Sequence, residues 1–439
     1  MSHKPKEDQP HWQWSATAQA GAIASDNLLS ADLLAAQHQV IVDRNPQLNA
    51  FIELTEPVDH VRQGQQETPR SALSGVSFAV KDNIDVLGTK TQCGLKALVR
   101  EPAIASAPVV KRLQAAGLVL TGRLNMAPMA MGASTHNPDF GDCYNPLKDG
   151  YSAGGSSGGA ASAVAAGMVS IALGTDTMGS VRLPAAYCGI VGFKPTWGHI
   201  PTQGVTPLSR ALDHVGVLCK TVQDARHAYG LLANRRQALE SIDRPDPWRL
   251  AVPADLDALA LEEPVRLAFD TAVQIIQEAG YAVTAIDLGA YPFTRVRRAG
   301  LQLSEAELIH QLASVYPDNK AALPPMLAAM MDFISGKSAA DLARALTLLM
   351  DARETLERAA APFDAIVLPT GAHLSFPMTD TEPADSADLT AIANVLGAPA
   401  ISLPLPAHNG SLPAGLQLIG KRHDDHDLLR LAQTLEAIV

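Results

Sequence analysis

GGSSGGAASAVAAGMVSIALGTDTMGSVRLPAAYCGIVGFKPT, running from Gly154 to Thr196, decides how this chain folds. Two glycine-rich turns, Gly154 to Gly159 and Gly174 to Ser180, bracket an Ala-rich helix reaching Gly167 and an apolar strand Val169 to Leu173. Upstream, Val76 to Val80 is an apolar strand candidate that ends at Lys81. A helix over 107–116 and the run Leu118 to Leu120 follow it. Strand, helix, strand in that order predicts parallel pairing. Downstream, strands at Arg249 to Val252 and Tyr281 to Ile286 flank a helix from Pro264 to Ala279, and strands return at 365–368, 400–403 and 416–419 before a closing helix from Asp427. With no internal repeat and no Gly/Ser linker, the expectation is one large α/β domain, residues 25–439, with a central mixed, mostly parallel sheet covered by helices on both faces.

Ser30 reads as the N-cap of a helix through Asp43 that Asn45-Pro46 should stop. Residues 1–24 read as a flexible polar tail. The stretch 304–361 is helical, broken near Pro317 and at Pro324-Pro325, and is the place for an insertion or lid.

Composition narrows the function. Lys and Arg number 34 against 45 Asp and Glu, and a net charge of −11 works against nucleic acid as a partner. Four cysteines without a CxxC pair, and no His, Cys or carboxylate cluster at ligand spacing, predict reduced thiols, no metal and no cofactor. The start MSHKPKEDQPHWQW has no apolar core, and no long uncharged apolar run occurs, so the expectation is a cytoplasmic protein without membrane attachment. No heptad pattern specifies a coiled coil, and a homo-oligomer is left open.

Three groups invite chemistry. Lys81 closes a core strand, where desolvation favours a neutral amine able to act as a base; it can also be read as a cation emerging into solvent or paired with Asp82 or Asp85. Ser156 sits in a turn whose glycines allow close backbone approach. That turn matches G-x-S-x-G, but the lead-in Asn145 to Ser152 is not the hydrophobic strand a nucleophile elbow requires. Ser180 ends a second turn whose backbone N–H groups can converge on an oxyanion. Neither turn carries the endings of a P-loop or a dinucleotide fingerprint, and His136, His199 and His214 stand singly.

Taken together, Gly154 to Thr196 strongly resembles the signature of the amidase signature family. Ala79-Val80-Lys81-Asp82-Asn83, Gly122 to Met126, Leu212 to Gly216 and Gly415 to Gly420 look like its other landmarks. The resemblance implies a catalytic set of Lys81 as base, Ser156 as a relay held by a cis peptide bond, and Ser180 as nucleophile. It also implies an oxyanion hole from the N–H groups of Thr177, Met178 and Gly179, pocket walls at Ala130 and Met131, and a small-molecule amide as substrate. Met178 stands where many relatives carry Gly, and Ala127-Pro128 replaces the usual acidic pair after Asn-Met. Two rivals accompany an amidohydrolase: an amidotransferase component releasing ammonia for a partner enzyme, and a non-catalytic binding protein on the same fold.

Overall fold

The computed structural model describes residues 9–55, 70–233, 248–254, 256, 259–288, 291–407 and 410–439. Eleven strands make one sheet: β1 (Phe51–Leu54), β2 (Ser77–Lys81), β3 (Val119–Leu124), β4 (Ile171–Asp176), β5 (Val191–Lys194), β6 (His214–Cys219), β7 (Arg249–Pro253), β8 (Ala282–Ile286), β9 (Ala365–Pro369), β10 (Ala400–Leu405) and β11 (Ala414–Gly420). Their order is β1-β3-β2-β4-β6-β5-β10-β11-β9-β7-β8. Parallel pairing joins β2 to β3 and β4, and β7 to β8 and β9. The sheet is mixed as expected, but the remaining six junctions are antiparallel, so it is not mostly parallel. The reason is connection length: a parallel return needs a crossover of a dozen or more residues, and the short link from β10 to β11 allows only a hairpin.

Strands β2, β3, β4, β5, β6 and β9 are buried along their whole length, as a sheet with both faces covered requires. Three strands escaped the sequence reading. In β5 and β6 the interruptions are Gly192 and Gly216, where an added Cβ would meet the Ala185 side chain at 2.6 Å and the Phe193 carbonyl at 2.7 Å. The third, β1, is an edge strand with outward Glu53 bound to Arg123 of β3.

Two further expectations need correction. The tail reading fails for residues 9–24: His11–Gln13 is a short 3-10 helix, and Ala16–Ala24 is a helix capped by Ser15. Ala16 and Ala20 are buried in the core, and Thr17 bonds Asp224 through both its amide and its hydroxyl at 2.8 and 2.7 Å. Small alanines let this helix lie flat on the domain although its surroundings are polar. Asn45-Pro46 also does not stop the second helix, which runs Ser30–Leu48 and ends at Asn49 in the left-handed region. Proline removes an N–H that would bond the Val42 carbonyl, and Val42 is exposed, so water can serve that acceptor. The helical block begins earlier than expected, with helices Phe293–Gln311, Pro325–Ser335 and Ala339–Ala360. Among the described residues no helix is long and apolar enough to cross a membrane.

Because β2 and β4 are parallel neighbours, their carboxyl ends emerge on the same edge of the sheet. Lys81 closes β2, and the turn 177–180 leaves β4. That edge holds the candidate site.

Candidate active site

Lys81 is fully buried, and its Nζ donates to Ser156 Oγ at 2.8 Å and to Thr175 Oγ1 at 2.9 Å. Its partners are hydroxyls rather than carboxylates. Asp82 turns away to Arg123, and Asp85 accepts the Thr91 hydroxyl. Burial pulls the Lys81 ammonium down to about 7, although the charges of Asp176 and Asp213 push the other way.

This sets a stability expectation. The unfolded lysine keeps its proton up to about pH 10.4, while the folded one releases it near 7, so between those values the unfolded state binds more protons and stability rises with pH. Relative to Lys81→Met, the wild type should gain about 1.4 kcal/mol per pH unit from pH 7 to 10. Denaturant titrations at pH 7, 8 and 9 measure that slope; parallel curves would mean Lys81 enters the fold charged.

The peptide between Gly155 and Ser156 is cis, as the resemblance implies. Packing requires the glycine, since a Cβ on Gly155 would sit 2.3 Å from the Ser134 carbonyl oxygen. Gly155→Ala must therefore displace backbone, and it should cost about 1–3 kcal/mol or more along with most activity, measured by unfolding and turnover. Unchanged stability would show that the turn has slack.

The second turn is fixed by a buried acid. Asp176 accepts from the Gly179 amide at 2.8 Å, the Val181 amide at 3.3 Å and Asn394 Nδ2 at 2.9 Å, and takes two bonds from Arg182, at 3.0 and 2.8 Å. Burial alone would raise this carboxyl, but the Arg182 guanidinium holds it well below the usual carboxylate range. Arg182 reaches on to the Thr390 carbonyl, Asn394 and Gln417, tying the turn to the C-terminal third of the chain. Gly179 has φ +129°, and a Cβ there would strike Thr390 Oγ1 at 2.1 Å. Thr177 donates to Asp213, whose carboxyl burial pushes up to about 6.

These bonds bear on the oxyanion reading. The Gly179 N–H is already committed to Asp176, whereas the amides of Thr177 and Met178 donate to no other described residue. Two of the three named amides thus remain available. Met178 is accommodated by Gly300, where a Cβ would approach its sulfur to 2.8 Å.

A cavity of about 260 Å³ opens beside this turn. Ala130, Met131, Thr177, Met178, Gly179 and Ser180 line it together, as does Gly155, while Lys81 and Ser156 lie fully buried behind the wall. The Ser157 amide donates to the Ser180 carbonyl at 3.2 Å, holding the two turns against each other. The structure adds wall residues that the sequence reading did not name: Leu183 and Leu208, Arg297 and Leu301 from one helix, Met330 from the next, and Glu382. For Arg297 a signal existed. It falls on the buried stripe with Gly300, Ser304 and Leu308, where a cation is out of place.

His214 is buried, with Nδ1 on the Leu212 carbonyl at 2.7 Å, a structural placement, and burial drives its imidazole well below the usual range. His199 bonds Tyr229 and His423 away from the cavity, and His136 pairs with Asp142. All four cysteines are free and buried. Among the described residues no group of three His, Cys, Asp or Glu could hold a metal ion.

A buried lysine hydrogen-bonded to one serine, with a second serine in a glycine turn facing a cavity, defines a class: single-sheet α/β proteins with a lysine-served serine site at strand ends. The Amidase family model matches residues 33–429. The amidase-type component of the Bacillus cereus glutamyl-tRNA(Gln) amidotransferase is 30% identical over 92% of this chain and 93% of that protein. Indoleacetamide hydrolase of Pseudomonas syringae pv. syringae is 38% identical over 240 residues, 55% of this chain and about half, 53%, of that protein. A crystal structure of an amidase superposes with a TM-score of 0.88 at 28% identity, covering 96% of this chain and 99% of that one. The chain belongs to the amidase family, the amidase signature enzymes, and its relatives support an enzyme acting on amides.

Proposed function

We propose that the chain is an amidohydrolase that cleaves a carboxamide C–N bond through an acyl-enzyme on Ser180. The observation that carries this reading is the 2.8 Å bond from a fully buried Lys81 to Ser156, in a lysine whose proton is released near pH 7. Neutral Lys81 accepts a proton from Ser156 as Ser156 accepts one from Ser180, and Ser180 Oγ adds to the amide carbonyl. The Thr177 and Met178 amides receive the oxyanion, and Asp176 with Arg182 keeps that turn rigid so that no reorganisation is needed during reaction. The proton then passes to the leaving nitrogen, amine departs, and water hydrolyses the ester by the same relay. A panel of small amides, ureido acids and aryl amides, read by ammonia or amine release from the isolated chain, tests the reading. Release from none of them would sink it.

The similarity to an amidotransferase component over nearly the whole chain favours keeping a second reading, in which ammonia passes to a partner enzyme. Glutamine hydrolysis seen only with partner proteins would select it. Neither reading uses a metal, so EDTA should leave activity unchanged. Loss with chelator and recovery with zinc would overturn that expectation.

A further inference from the structure

Only two charged side chains, Arg297 and Glu382, are found among the described residues lining the cavity, and their hydrogen bonding is unequal. Both oxygens of Glu382 are taken, one by the Ala133 amide at 2.7 Å and the other by the amide and hydroxyl of Ser134 at 2.8 Å each. Arg297 is 7% exposed, and its Nε donates to Asp388, whose other oxygen accepts the Thr294 hydroxyl at 2.6 Å. That ion pair fixes the guanidinium plane. It leaves Nη1 and Nη2 without an acceptor among the described residues, opening on the cavity.

A guanidinium stays charged at every accessible pH, and unpaired donors in a mostly apolar cavity are costly to leave unmatched. Two parallel N–H groups in one plane fit a carboxylate. By contrast an ammonium group would find the acidic oxygens here already occupied. Arg297 also lies one helical turn before Gly300, which packs on Met178 of the oxyanion turn, so the cation stands close to the reacting end of the cavity. The volume, about 260 Å³, lies just below the roughly 300 Å³ at which ordinary ligand pockets begin, and calls for a small molecule.

We propose that the substrate is a small amide bearing a carboxylate, of the kind formed by the monoamide of a short dicarboxylic acid, with Arg297 Nη1 and Nη2 holding the carboxylate while the amide carbonyl meets Ser180. This rests on the hydrolase reading above and assigns Arg297 as its specificity residue. A free α-ammonium, as in glutamine, has no matching partner in the cavity.

The test compares kcat/KM for succinamate with that for butyramide, its neutral counterpart of similar shape, and repeats this from malonamate to adipamate. The wild type should prefer the acid by about 100-fold, chiefly through KM, and Arg297→Gln should erase that preference. Arg297→Lys keeps a cation beside Asp388 and should retain part of it, which covers a failure of the glutamine variant to fold. Calorimetry of succinamate on Ser180→Ala protein, with and without Arg297→Gln, separates the two claims. Arg297-dependent binding without turnover by the wild type would uphold the subsite and sink the hydrolase reading. Hydrolysis of neutral amides with no acid preference, or equal losses for acid and neutral substrates in Arg297→Gln, would overturn the carboxylate assignment.

Discussion

Ser180→Ala is expected to remove turnover by a factor on the order of 10⁴ or more, and acyl labelling with it, while the protein stays folded. The loss is large because the hydroxyl would be the only nucleophile on the cavity wall with a base behind it, and without it only binding and the oxyanion amides remain. The fold should survive because Ser180 takes part in packing through its carbonyl, which accepts from the Ser157 amide and is unchanged in alanine. Ser156→Ala should be nearly as damaging for a different reason: the hydroxyl that accepts from Lys81 disappears, leaving the amine bound to Thr175 alone. A fluorophosphonate probe with mass-spectrometric site mapping decides between the serines. Labelling of Ser156 in the Ser180→Ala protein would reverse their roles.

Lys81→Arg should be almost inactive at every pH, an effect of similar size. Burial has brought the lysine to about 7, so a substantial neutral fraction exists at neutral pH; a guanidinium keeps its proton and cannot take one from Ser156. In the wild type the active form is the unprotonated one, so acylation should be weak in acid, rise through pH 7 and level off above it. Lys81→Ala should lose both most of the rate and this ascending limb, since no titrating base is left beside Ser156. Single-turnover acylation from pH 5 to 9 for the three proteins is the measurement. A Lys81→Arg enzyme with near-normal rate and an unchanged profile would make Lys81 a structural cation and force the base to be sought elsewhere.

The two glycine turns, the strand before Ser180 and the strand ending at Lys81 were legible because each is local: an apolar run of a few residues bounded by Gly, in an order that makes parallel neighbours of β2 and β4. The Thr177 to Ser180 turn was legible as a turn, but its bonding was not. That the Gly179 amide is spent on Asp176, and that Asp176 is held by Arg182 together with Asn394, depends on pairings between segments far apart in the chain. The docked helix Ala16–Ala24 was missed for a related cause: alanines in a polar setting look like tail until a surface to cover is known.

The sequence by itself determined the family, the α/β class, and Lys81, Ser156 and Ser180 as the residues to test, because each follows from residue type, order and local periodicity. Tertiary structure decided the balance of antiparallel to parallel strands, the burial that lowers the Lys81 proton affinity, and the convergence of Arg297, Met330 and Glu382 on a cavity beside Ser180. Solvation and charge pairing depend on which distant segments exclude water from a side chain or supply its partner. The one-dimensional order of residues does not state that, and the packed sheet and its helical cover do.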